Sequence, residues 1–89
     1  MPYRVEVTPA AGRDLRRLPE AGRSRVLEAV GRLANDPRPP TSRKLAGWER
    51  RYRIRSGDFR VIYDIFDSDL TVVIARVIRR SETTYRRLD

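Results

Sequence analysis

The sequence predicts an α+β domain: an antiparallel sheet built in the order β-α-α-β-β-β, with a helical hairpin packed on one face. Three observations predict it. Apolar residues recur at helical spacing between Pro9 and Ala34, then alternate at period two from Ser42 onward. Two turn sequences, Ser56-Gly57-Asp58 and Asp67-Ser68-Asp69, divide the alternating region into a meander. The 89 residues are 39% hydrophobic and 36% charged, which suits a single domain over residues 1–89 with a small core and a heavily charged surface.

The first strand is Tyr3 to Val7, with Tyr3, Val5 and Val7 on one face. Thr8-Pro9 then starts a helix: Thr supplies a capping oxygen, and Pro at the first helical position gives up an N–H that has no partner there. Ala11, Leu15 and Leu18 form its stripe, and Pro19 ends it. The second helix spans about Glu20 to Ala34 on a stripe of Val26, Val30 and Leu33. Asn35-Asp36-Pro37-Arg38-Pro39-Pro40 stops it and forms a stiff loop. Leu45 and Trp48 are anchors in an irregular stretch or short strand around Gly47. Tyr52 to Arg55 and Phe59 to Phe66 are strands. Leu70 to Ile78 is the most apolar strand, so it belongs at the centre of the sheet.

Composition excludes several chemistries. With no cysteine and no histidine, the chain has no disulfide, no thiolate nucleophile, no His-based acid–base pair and no ordinary zinc site. No cofactor and no metal are expected. The start of the chain lacks the apolar segment of a signal peptide, and no apolar run reaches membrane-spanning length, so a cytoplasmic protein without a membrane partner is expected. The formal net charge of +8 points to a polyanion partner or an acidic protein. Lys44 is the only lysine, so this charge is carried by arginine.

The arginines concentrate on the meander. Arg53 and Arg55 share a face by alternation. A two-residue loop at Gly57-Asp58 would make Arg60 a cross-strand neighbour of Arg55 on that face, whereas a three-residue loop would turn Arg60 away. Arg79 and Arg80 end the last strand. Like charges this close persist at low cost when water or an anion neutralises them. The pattern therefore fits a phosphate-binding surface. It equally fits a solvated face with Arg stems lying over apolar residues.

Tyr52-Arg53-Ile54-Arg55-Ser56-Gly57-Asp58-Phe59-Arg60-Val61-Ile62-Tyr63 resembles the Y-R-[IL]-R-x-G-[DN]-[YF]-R-[VI]-[IL]-Y stretch of the RelE/ParE toxin superfamily. Lys44-Leu45-x-Gly47 before it, Arg76-Val77-Ile78-Arg79-Arg80 followed by Tyr85, and the opening Tyr3-Arg4-Val5 with Thr8-Pro9-Ala10-Ala11, Asp14-Leu15 and Leu18 are similar too. The resemblance runs over nearly the whole chain in the right order.

It implies a toxin of a type II toxin–antitoxin module. RelE-like members are mRNA interferases that enter the ribosomal A site and cut mRNA without a metal. The 2′-OH attacks the adjacent phosphate, leaving a 2′,3′-cyclic phosphate and a free 5′-OH. The partners implied are a cognate antitoxin and the ribosome with its mRNA, with DNA reached only through the antitoxin. Carried over residue by residue, the catalytic positions are Arg53, Arg55, Arg60, Arg79 or Arg80, and Tyr85. The RNA-binding set is Lys44, Arg51, Arg53, Arg55 and Arg60. Arg60 should clamp the phosphate, Arg79 or Arg80 should serve the leaving group, and Tyr85 should stack on a base or move a proton.

This chain departs from the pattern. The best-known members carry lysines at the positions of Arg53 and Arg55, and many carry a histidine where Ile78 or Arg79 stands here. A guanidinium keeps its proton, so it is a poor general base. Glu49 and Glu82 are the acidic candidates for that role. Two further readings stand beside the nuclease: a ParE-like inhibitor of DNA gyrase that cuts no RNA, and a non-catalytic nucleic-acid binder or decayed toxin.

Overall fold

The computed structural model describes residues 2–80. Its elements are β1 (Arg4–Val7), α1 (Pro9–Arg17), α2 (Glu20–Arg32), β2 (Arg43–Lys44), β3 (Arg51–Ser56), β4 (Phe59–Phe66), a 3₁₀ turn (Asp67–Asp69) and β5 (Thr71–Arg79). The strands form one five-stranded sheet in the order β1-β5-β4-β3-β2. From β2 to β5 every pairing is antiparallel, as the meander predicts. The first strand adds a parallel pairing, with Val5 opposite Val72. The two-residue edge strand β2 resolves the irregular stretch before Gly47.

The helices follow from their caps. Thr8 Oγ1 accepts the Ala11 N–H at 3.1 Å and donates to the Ala75 carbonyl at 3.0 Å, which ties the start of α1 to β5. Pro19 holds Leu18 in extended backbone (ψ 145°), so α1 ends there and α2 begins on a new axis. Val26, Val30 and Leu33 are buried as their spacing predicts, while Leu27 is exposed.

The main core lies between the helices and one sheet face. There Ala11, Leu15, Val26, Val30 and Leu33 meet Ile54, Val61, Tyr63, Ile65, Val72, Ile74 and Val77. By alternation, the opposite face carries Arg51, Arg53, Arg55, Arg60, Ile62 and Asp64. It has its own small apolar cluster of Leu45, Ile62 and Ile78, with Ala75 packed against it. Leu45 is thus a buried anchor, whereas Trp48 is 41% exposed at the rim. Among the described residues no helix is long and apolar enough to cross a membrane.

A part-buried ion pair fastens helix to sheet. Asp14 on α1 accepts Arg76 Nε at 2.7 Å, Arg76 Nη2 at 3.0 Å and the Val77 N–H at 2.8 Å. Burial alone would raise the Asp14 pKa, but the bonds from Arg76 and Val77 outweigh it and hold it below the ordinary carboxylate value.

Candidate nucleic-acid interface

The β3–β4 turn decides the site. Ser56 pairs with Phe59 and Arg55 with Arg60, so only Gly57 and Asp58 lie in the loop. Gly57 has φ +58° and Asp58 has no positive φ, the pattern of a type II′ turn, which requires glycine at its first central position. A two-residue turn preserves the alternation, and Arg60 falls on the same face as Arg53 and Arg55.

The three arginines are not equivalent. Arg53 is 7% exposed, set between Arg43 on β2 and Ile62 on β4. It belongs to the floor of the face. Arg55 is exposed beside the turn, and Arg60 is half-buried with its Nε out of contact with solvent. Arg60 also pairs with Ile78 on β5, which brings in the end of the last strand.

That strand end completes a cleft. Arg79 pairs with Phe59, and its guanidinium lies 5.3 Å from the centre of the Phe59 ring. The Arg80 N–H donates to the Asp58 carbonyl at 2.8 Å, which locks the turn against β5. Asp58, Arg60, Arg79 and Arg80 line an open cleft of about 460 Å³. Three arginines and one aspartate border it, Arg79 and Arg80 both among them.

Other expected positions lie elsewhere. Arg51 is on the same face, but Nε and Nη2 bond Asp64 at 2.8 and 2.9 Å, and its guanidinium sits 4.3 Å over the Trp48 ring. Asp64 raises the Arg51 pKa, so this charge is internally matched. Lys44 is in register with Tyr52, which packs against the helices. Arg43 takes the open-face place on β2 instead. Glu49 is exposed, 3.6 Å from Arg50, at the opposite end of β3 from the turn. Arg51 to Arg55 alone spans four strand steps, about 13 Å, so Glu49 does not reach the cleft. Glu82 and Tyr85 lie outside the described residues. Asp58 is marked in the sequence only as a turn residue and Arg43 not at all; strand register brings them beside the arginines.

The chain matches the family described as ParE toxin of type II toxin-antitoxin system, parDE, over residues 5–84. It is 42% identical over 91 residues to Toxin RelG of Mycobacterium tuberculosis, covering 98% of this chain and 100% of the relative. It is 40% identical over 86 residues to Toxin RelE of the same organism, covering 96% and 88%. Its fold superposes on the RelBE2 toxin–antitoxin complex of M. tuberculosis with a TM-score of 0.78 at 36% identity, covering 90% of this chain and 100% of that one. It also superposes on the archaeal RelE–RelB complex of Pyrococcus horikoshii with a TM-score of 0.81 at 33% identity, covering 93% and 100%.

Proposed function

The chain belongs to the ParE/RelE family of type II toxin–antitoxin toxins, and we propose that it is a ribosome-dependent mRNA endonuclease neutralised by a cognate antitoxin. The observation that carries this reading is the cleft in which Arg60, Arg79 and Arg80 converge across the end of the sheet. A phosphate passing through a five-coordinate transition state gains negative charge on its oxygens. Preorganised cations stabilise that charge without reorganising.

In this reading Arg60 grips the scissile phosphate, Arg55 adds a cation from the facing strand, and Arg79 and Arg80 stabilise the departing 5′ oxygen. Arg53 supports the face from beneath, and Tyr85 serves a base or a proton. Arg51 and Lys44 are outside this set. The 2′-OH must lose a proton as it attacks. The arginines cannot accept it, and Glu49 is too far. Asp58 is the one carboxylate among the described residues lining the cleft, so we assign it the proton-accepting role in place of Glu49. Arginine supplies the charge, so the chemistry calls for no metal, and chelator should leave the rate unchanged. The site of action is the ribosomal A site in the cytoplasm.

Two solved relatives are toxin–antitoxin complexes, RelBE2 and RelE–RelB. By analogy an antitoxin segment covers the arginine face here, its carboxylates standing in for phosphate. DNA would be reached only through that antitoxin.

The test is to add the protein to a translating extract and map mRNA 5′ ends on ribosomes. Codon-phased cuts that disappear with Arg60→Ala support the nuclease. The absence of histidine and the match to the ParE description favour one second reading, inhibition of DNA gyrase. Intact mRNA together with blocked supercoiling would select it.

A further inference from the structure

A second groove adjoins the arginine cleft. It runs between the start of α2 and the β3–β4 turn and encloses about 330 Å³. Pro19, Ala21, Gly22 and Phe59 give it apolar walls, while Arg25 and Arg79 supply cations. Asp58 and Arg79 line both spaces, so the two lie side by side at the end of the sheet.

The walls are built closely. A Cβ at Gly22 would lie 2.8 Å from Phe59 Cε2, so α2 approaches the ring as nearly as backbone can. Arg25 reaches from α2 toward the turn, with Nη1 3.7 Å from where a Gly57 Cβ would stand. Arg79 lies over the Phe59 ring, which supports its guanidinium from one side. The result is a slot with apolar sides, a ring-backed guanidinium plane and a cation on each bank. Single-stranded RNA presents the complement: flat bases that stack on aromatic or guanidinium planes, with a phosphate on either side of each nucleoside.

We propose that this groove holds the nucleotide next to the phosphate gripped by Arg60, Arg79 and Arg80. Its base stacks on the Arg79 guanidinium against the Pro19–Ala21 wall, and its far phosphate meets Arg25. Arg79 serves both subsites. This assignment rests on the RNA reading of the cleft. It adds a substrate-positioning residue, Arg25, from outside the meander that carries the other cations.

The test is fluorescence-anisotropy titration of the full chain with a ribotrinucleotide and with trimers carrying an abasic sugar at one end or the other. Wild type should bind one of the two abasic trimers about tenfold more weakly than the intact trimer, the share of one stacked base. Arg25→Ala and Ala21→Glu should each weaken the intact trimer about tenfold and erase that discrimination. Both sites are exposed, and Glu in the first turn of a helix suits its dipole, so thermal melting should confirm that both variants are folded. Variants that bind and discriminate as wild type does would overturn the subsite, as would a wild type indifferent to both abasic trimers. Ribosomal mRNA mapping is read in parallel. Wild type that discriminates trimers but cuts no mRNA keeps the groove and removes the nuclease reading. Cutting without discrimination does the reverse.

Discussion

Arg55 and Arg60 stand directly opposite each other on β3 and β4, one residue pair from the turn that joins them. Like charges in facing positions repel, so this pairing adds little to the stability of the hairpin by itself. Arg55→Gln should leave the denaturation free energy unchanged or raise it by up to about 1 kcal/mol, measured in urea. The same substitution should slow mRNA cutting. Arg60→Ala should reduce kcat by about 10²–10³, the cost of losing one preorganised donor at a developing anion. Loss of activity that merely tracked loss of stability would contradict this reading.

Asp58→Asn separates binding from proton transfer. It removes the one carboxylate among the described residues lining the arginine cleft, so affinity for RNA should hold or tighten. Single-turnover cutting should fall by about 10²-fold, as for loss of a general base. A variant that cuts at the wild-type rate would return the base to residues beyond position 80.

Asp14 and Arg76 should matter for folding and leave the cleft untouched. Asp14→Ala leaves Arg76 and the Val77 N–H without their shared acceptor. The expected loss is about 1–3 kcal/mol, the cost of leaving a buried donor without its acceptor. The exposed pair of Glu28 and Arg32 on α2 is a control. Glu28→Ala should cost only about 0.3–0.5 kcal/mol. Urea midpoints of the two variants decide it.

Acid should weaken the fold through two carboxylates. Hydrogen bonds from Arg38 and then Tyr3 lower the Asp67 pKa from 3.8 to about 2. Asp14 is lowered too. Between these values the unfolded chain binds protons that the folded chain does not, so stability falls as pH falls. The contribution is fully present above pH 3.8 and is lost as the pH approaches 2. Urea melts across this range should show the decline, and Asp67→Asn should flatten part of it.

Two glycines of α2 should respond with opposite sign. Gly31 has nothing within 4 Å of an added Cβ, so Gly31→Ala should stabilise by about 0.5–1 kcal/mol through helix propensity. At Gly22 the same methyl group would meet the buried Phe59 ring at 2.8 Å. Gly22→Ala should cost about 1–3 kcal/mol from overpacking, less whatever propensity returns. Thermal melts of the two variants are the check.

Much of the fold was legible because its signals are local. Thr8-Pro9 and Pro19 mark helix ends through the geometry of one or two residues. Period-two alternation placed Arg53 and Arg55 on one face whatever they touch. The motif from Tyr52 to Tyr63 carries the family resemblance in its residue types alone. Alternation does not say which edge a first strand joins, so the parallel pairing of β1 with β5 was not legible. Nor does it say which charge is matched. Arg51 carries the same local pattern as Arg53 and Arg55, yet Asp64 lies thirteen residues away and occupies it. Lys44 and Arg43 are neighbours in sequence and fall on opposite faces. Asp58, Arg79 and Arg80 meet only because a two-residue turn fixes register and the Arg80 N–H closes it. Sequence by itself determined the elements and the chemistry they carry, since propensity and periodicity act over a few residues. Tertiary structure decided which of those charges converge, since convergence depends on pairings between segments far apart in the chain.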